Sequence, residues 1–147
     1  MQMEEKESLR EYMLKEVDII QGIIRRMAFN SFMIKGWAIT LVVVALLLKG
    51  TGYQVLIAFI PLLVFWFLDA YFLWQERMYR KLYDWVINNR LKTDEYLFDM
   101  NAYRFEEEVQ SRFRIMFSIT LGWFYGSIAI LIVVYSVLLF LMQNGGL

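Results

Sequence analysis

Two charged residues stand inside stretches that are otherwise apolar enough for a membrane. Lys35 interrupts the run FNSFMIKGWAITLVVVALLL, and Asp69 lies near the end of the apolar run 53–74. A charge in hydrocarbon is costly unless it is paired or hydrated, and such residues often mark ion routes. We weigh three interpretations: both side chains extend to the interface unpaired, they form a structural ion pair, or they line a water-filled path.

A second group of charges follows directly after this apolar run. Arg77, Arg80 and Lys81 lie close together on the predicted helix, with Tyr79 and Tyr83 among them. Cations hold phosphates and aromatic rings stack on bases, so these five residues form a hypothetical binding site for a nucleotide or oligonucleotide. The alternative is a solvated helix that only sets membrane orientation, and lipid head groups would compete for the same cations.

The residue types that most enzymes use are missing. Cysteine and histidine are absent, which removes thiol nucleophiles, disulfides and the commonest general base and metal ligand. The acidic triplet Glu106, Glu107 and Glu108 points in three directions on a helix and is interpreted as a solvated face. We therefore expect a non-enzyme without cofactor or metal. The zero net charge argues against nucleic-acid binding through the overall field.

Apolar segments of membrane-spanning length must position these charges. They predict an all-α integral membrane protein with three transmembrane helices. In chain order we expect an N-terminal cytosolic amphipathic helix, a transmembrane hairpin, a cytosolic helical segment, and a third span with a short external tail: residues 1–29, 30–74, 75–114 and 115–147. The hairpin has spans at about 30–48 and 53–74, joined by a tight turn at Gly50 and Gly52.

The segment between spans two and three is expected to be mostly α-helical. Apolar spacing carries the second helix to about Val86, and NNRLKTD predicts its end. A further helix is expected to start near Thr93 or Asp99. Phe105, Val109 and Phe113 recur at steps of four, which predicts that this helix continues into a third span at 115–142.

Lysine and arginine counts predict the orientation. Five lie in the N-terminal segment and eight in residues 75–114, against Lys49 alone in the outer turn. Cytoplasmic loops carry the excess of these residues, so we expect a protein of the cell inner membrane with a cytoplasmic N-terminus and an external C-terminus. The acidic N-terminal segment has no apolar core of a secretory signal.

Ser118, Gly122 and Gly126 stand four residues apart in the third span. Small residues let helix backbones approach closely in lipid, where no hydrophobic force drives helices together. This face packs either within one protomer or between protomers. Because the predicted soluble part is thin, we favour a homo-oligomer, with a tetramer as the working assumption.

The run LDAYFLWQERMYRKLYD, together with the layout of helices, resembles small bacterial membrane effectors of nucleotidyltransferase-linked antiphage systems, of the SLATT or Hailong kind. The third span departs from the two-span SLATT pattern. The resemblance implies an oligomer that permeabilises or depolarises the inner membrane under control of a nucleotide signal, with a neighbouring nucleotidyltransferase as partner.

The function expected is thus a homo-oligomeric channel or pore-forming effector, gated through its cytosolic helices. The alternative is a non-conducting membrane subunit or anchor that assembles with a larger partner. A small-molecule transporter is a third class, but neither an inverted repeat nor paired broken helices support it.

Overall fold

Helices form every regular element of the computed structural model over the residues that it describes, 2–47 and 54–144. Four are α-helices and one is a 3-10 helix: α1 Gln2–Leu47, α2 Gln54–Asn89, the 3-10 helix Ala102–Glu108, α3 Arg112–Met116 and α4 Ile119–Asn144. Helices α1, α2 and α4 are long and apolar enough to cross a membrane. The all-α class and the three candidate spans are therefore confirmed. The predicted turn at Lys49, Gly50 and Gly52 and the last three residues of the tail lie outside the described residues.

Helix α1 joins the predicted amphipathic helix and the first span in one element of 46 residues. No proline interrupts its backbone hydrogen bonds, and its two glycines, Gly22 and Gly36, are tolerated inside the helix. At 1.5 Å per residue the helix is about 69 Å long, more than twice the roughly 30 Å hydrocarbon core. The first span therefore occupies only part of α1.

Helix α2 extends three residues beyond the predicted limit at Val86 and ends at Asn89. It includes Pro61, and the helix is continuous through that residue. The amide groups of Asn88 and Asn89 donate hydrogen bonds to the carbonyls of Asp84 and Trp85, one turn back.

The prediction of one α-helix leading from about Thr93 or Asp99 into the third span is wrong. Residues 90–101 form turns and segments without regular structure, and Val109 is extended after the 3-10 helix. Local side-chain bonds favour these turns: the Asp99 carboxylate accepts from the Asn101 amide N–H, and the Asn101 side chain accepts from the amide of Tyr103. Phe105, Val109 and Phe113 therefore do not share one face of a single α-helix.

The third span is also shorter than predicted. Phe117 and Ser118 separate α3 from α4, and the candidate span is Ile119–Gln143 rather than 115–142. Ser118 therefore precedes the spanning helix, and its carbonyl accepts the amide of Gly122 at 2.7 Å.

The chain divides into two compact units, and α1 and α2 contribute to both. Unit 1 contains Met1–Asn30 and Phe72–Ser111, and unit 2 contains Ser31–Tyr71 and Arg112–Leu147. The core of unit 1 includes Ile20, Trp74, Met78, Leu82 and Val86. The core of unit 2 is rich in alanine and aliphatic residues: Ile34, Ala38, Val42, Ala58, Leu62, Ala70, Leu121 and Ile132. The membrane topology predicted from the sequence, with limits at 29/30, 74/75 and 114/115, does not follow from this division into units and stays a prediction.

Candidate functional site

Asp69 lies at the centre of a polar network inside unit 2. Its side chain is fully buried, and Nζ of Lys35 lies 2.6 Å from its Oδ2 atom. The Ser31 hydroxyl donates to Oδ1, and the Tyr125 hydroxyl lies 3.1 Å from Oδ2. Ser31 and Lys35 belong to α1, Asp69 to α2 and Tyr125 to α4. The charge of Asp69 is therefore paired and hydrogen-bonded within one chain, as a buried charge requires.

Two further contacts complete the same network. Lys35 donates to Ser31 at 2.8 Å, one helical turn away on α1. The Tyr125 hydroxyl also lies 3.2 Å from the carbonyl oxygen of Phe65, one turn before Asp69 on α2. Every polar atom of this cluster thus has a partner, and the side chain of Lys35 is 23% exposed.

Trp66 connects the corner between α3 and α4 to this cluster. Its indole N–H donates to the Met116 carbonyl at 2.8 Å. Its ring stacks on Tyr125, with centroids 5.7 Å apart and planes 9° apart, and meets the edge of Phe117. The tryptophan therefore holds the Tyr125 ring in the orientation that brings its hydroxyl to Asp69.

The predicted cations of the anion site lie along one groove of unit 1. Arg77, Arg80 and Lys81 line it from α2, together with Asp84. The opposite wall is the end of the 3-10 helix and the residues that follow it, Glu108, Val109 and Gln110. The groove is open, so a ligand could reach all three cations from solvent.

Each of these cations already has an acceptor within the chain. Arg80 donates twice to Oε1 of Glu76, at 2.7 and 2.9 Å. Nζ of Lys81 lies 3.4 Å from a carboxylate oxygen of Glu108. Arg77 donates to the Gln110 side chain at 3.1 Å. The basic group is thus balanced by internal acceptors, of which Glu76, four residues before Arg80, follows from helical spacing.

Tyr79 and Tyr83 do not line this groove. They lie on another side of α2, because residues two apart on a helix differ in direction by about 200°. Both side chains are half-buried. The structure therefore brings together the three predicted cations and leaves out the two predicted stacking residues.

Unit 1 contains a buried ion pair that the sequence interpretation missed. The guanidinium of Arg90 meets the carboxylate of Glu16 with two hydrogen bonds, at 2.6 and 2.9 Å, and both side chains are buried. Arg90 also donates to the carbonyls of Thr93, Glu95 and Tyr96. The planar fork of arginine suits this arrangement of several acceptors.

The ion pair also fixes an unusual loop. The Phe98 amide donates to the Glu16 carboxylate at 2.8 Å. Tyr96 and Phe98 both have φ of 56°, a left-handed conformation that bulky residues rarely adopt. The bonds from Arg90 and to Glu16 stabilise this backbone, since strained conformations persist only where the surroundings hold them.

The small-residue face of α4 lines a shallow groove of unit 2. Ser118, Gly122 and Gly126 contribute to it, with Trp123 and Ile130 at its sides. A Cβ atom added to Gly126 would meet no atom within 4 Å, and one added to Gly122 would meet only the Phe117 backbone, at 3.9 Å. Packing within the described part of the chain therefore does not require either glycine.

The described residues contain no group of three acidic side chains placed to hold a metal ion. Comparisons with protein-family models, with curated proteins and with solved structures find no match to this chain.

Proposed function

We propose that this chain is a homo-oligomeric inner-membrane channel or pore-forming effector, gated through its cytosolic helices, that acts in antiphage defence by membrane depolarisation. The observation that carries the proposal is the open glycine face of α4. The span in α4 has no charged residue, and only 11% of it is buried within the chain. A face of small residues without a partner among the described residues of its own chain suits a second helix from another protomer.

The buried carboxylate supports a particular division of roles. Asp69 is enclosed by Ser31, Lys35 and Tyr125 of the same chain. This enclosure favours the structural ion pair over the pore-lining role, because a permeant ion needs a hydrated wall. We place the conducting path between protomers. The network around Asp69 then holds α1, α2 and α4 together within each protomer.

Gating is assigned to the groove of Arg77, Arg80 and Lys81. Positive-inside counting predicts that this groove lies in the cytoplasm, where a nucleotide signal would be found. Ligand binding can shift a conformational equilibrium only through different affinity for its two states. The motif in residues 68–84, which resembles that of nucleotidyltransferase-linked effectors, supports a nucleotide or oligonucleotide as that ligand and a neighbouring nucleotidyltransferase as its source.

The glycine face gives the decisive test. Gly122→Leu and Gly126→Leu fill open space and raise helix propensity, so they should leave the protomer folded. We expect both variants to lose the oligomer by native mass measurement and to lose conductance in planar bilayers. Gly22→Leu is the matched control, because this glycine also lies in a helix with no atom near its added Cβ.

Each outcome has a distinct meaning. An unchanged mass in both variants would refute assembly through α4. An oligomer that never conducts, with or without nucleotides, would favour the non-conducting membrane subunit.

A further inference from the structure

We propose that the groove on α2 takes a ligand with two or more phosphates, and that this ligand binds by displacing Glu108 and Gln110 from Lys81 and Arg77. The inference rests on the proposed function, because it names the ligand class and the regulation of the same groove. It follows from the partners that the cations have in the structure.

Two of the three internal acceptors are held weakly. The Lys81–Glu108 pair has a separation of 3.4 Å, and its side chains are 44% and 56% exposed. The Arg77–Gln110 bond joins a cation to a neutral amide in an exposed position. Exposed pairs of this kind contribute little, since water and salt screen them. Glu76, which is only 10% exposed and accepts two bonds from Arg80, is held more firmly.

Phosphate oxygens are stronger acceptors than the groups that they would replace. Arginine binds phosphate with two parallel hydrogen bonds, and both partners are charged. A single phosphate replaces one internal acceptor. A ligand with several linked phosphates replaces two acceptors at once, and the second contact forms at high effective concentration. The number of phosphates therefore decides the affinity.

The base of a nucleotide contributes little in this groove. The aromatic side chains expected to stack on it, Tyr79 and Tyr83, do not line the groove. The walls are instead formed by charged and amide side chains with Val109 between them. Recognition thus depends on charge number and spacing, and an oligonucleotide backbone or a polyphosphate satisfies it equally.

Displacement also changes the chain around the groove. Glu108 is the last residue of the 3-10 helix, and Gln110 lies in the short segment that leads to α3 at Arg112. Both side chains link this segment to α2. When phosphates take their place, residues 108–111 lose these links. The ligand thus releases the segment that leads into the third span.

Titration calorimetry on the whole protein in phosphatidylcholine nanodiscs tests this, with sodium tripolyphosphate and orthophosphate as probes. We expect tripolyphosphate to bind at least about tenfold more tightly than orthophosphate. Glu108→Gln should tighten tripolyphosphate binding by about two- to fivefold, since it removes a competitor. The exposed neighbour Glu107 is the control: Glu107→Gln changes the net charge equally but removes no contact with Lys81. Lys81→Gln should weaken binding.

Hydrogen exchange adds a structural readout. Tripolyphosphate should increase exchange in residues 102–111 of the wild type. Nanodiscs with cardiolipin, a two-phosphate lipid, distinguish the source: if cardiolipin suppresses tripolyphosphate binding, the head group is the occupant, and the multiphosphate chemistry stands. Equal affinity for the two probes, an equal effect of Glu108→Gln and Glu107→Gln, or slower exchange in 102–111 would overturn the proposal. If the protein shows this binding pattern but conducts no current, the channel proposal is refuted and the proposed ligand class stands.

Discussion

The buried pair of Glu16 and Arg90 gives the sharpest prediction for a single atom change. Glu16→Gln keeps the size of the side chain but replaces one carboxylate oxygen by an amide nitrogen, which donates. Arg90 would then face a donor where it now meets an acceptor at 2.6 or 2.9 Å. Its positive charge would remain buried without a compensating negative charge.

The expected cost is large. Removing one partner of a buried ion pair costs about 3–5 kcal/mol, because the remaining charge stays desolvated. The three carbonyls around Arg90 retain their bonds, so the loss concentrates on the contact between α1 and the loop at residues 93–98. At 1.4 kcal/mol for each factor of ten, the opening equilibrium of this loop should rise by about 10²-fold or more.

The amide of Phe98 reports this opening directly. It donates to Oε1 of Glu16, so its hydrogen exchange requires the contact to break. We expect exchange at Phe98 and in the peptides around it to accelerate by that factor in Glu16→Gln. Glu11→Gln is the matched control on the same helix, because Glu11 pairs with Lys15 in an exposed position, and it should leave exchange at Phe98 unchanged.

Two results would refute this reasoning. Equal exchange in Glu16→Gln and Glu11→Gln would mean that the buried pair does not hold the loop. Faster exchange throughout unit 1, with no excess at residues 93–98, would mean that the pair stabilises the whole unit and not the left-handed turn at Tyr96 and Phe98.

Two further predictions concern the network around Asp69. A double-mutant cycle with Lys35→Met and Asp69→Asn should give a coupling energy above about 1 kcal/mol in detergent unfolding, since the two side chains meet at 2.6 Å; strict additivity would mean that the pair contributes nothing. Tyr125→Phe removes a hydroxyl that bonds to a buried charge and should lower stability by about 1–3 kcal/mol. Tyr135→Phe, at a half-exposed position of α4, is its control, and equal melting temperatures of the two variants would exclude the proposed bond.

The apolar runs allowed the spans to be predicted because length and composition alone decide whether a helix can cross a bilayer. The sequence left the pairing of Lys35 with Asp69 as one of three interpretations. The end of α2 near Asn89 followed from the loss of apolar spacing. These features depend on one segment at a time, or on two segments joined by a short turn.

The buried pair of unit 1 joins residues far apart in sequence, and charge type alone gave no reason to connect them. A signal was nevertheless present. Glu16 lies three residues after Met13 and four before Ile20, and so stands on the apolar face of α1. Arg90 follows Val86, a residue of the apolar spacing in α2, by one turn and lies directly after the end of that helix. An acid and a base that each continue an apolar face indicate a buried pair.

The error in residues 99–118 has a different origin. Apolar residues at steps of four predicted an α-helix there, but Asp99 and Asn101 bond to nearby backbone amides and favour turns. Phe113 is exposed and contributes nothing to a buried helical face. Periodicity over three residues is weak evidence when the residues just before them compete for the backbone.

The buried carboxylate of Asp69 has a role that apolar packing could not fill. In lipid, no hydrophobic force selects one register of helices over another. Turning a helix by one residue rotates its side chains by about 100°, which would separate Lys35 from Asp69 and leave both charges without a partner. A buried pair therefore penalises every wrong register by more than it stabilises the right one. For a protein proposed to change state on ligand binding, this penalty favours motion at surfaces without such pairs, including the glycine face of α4.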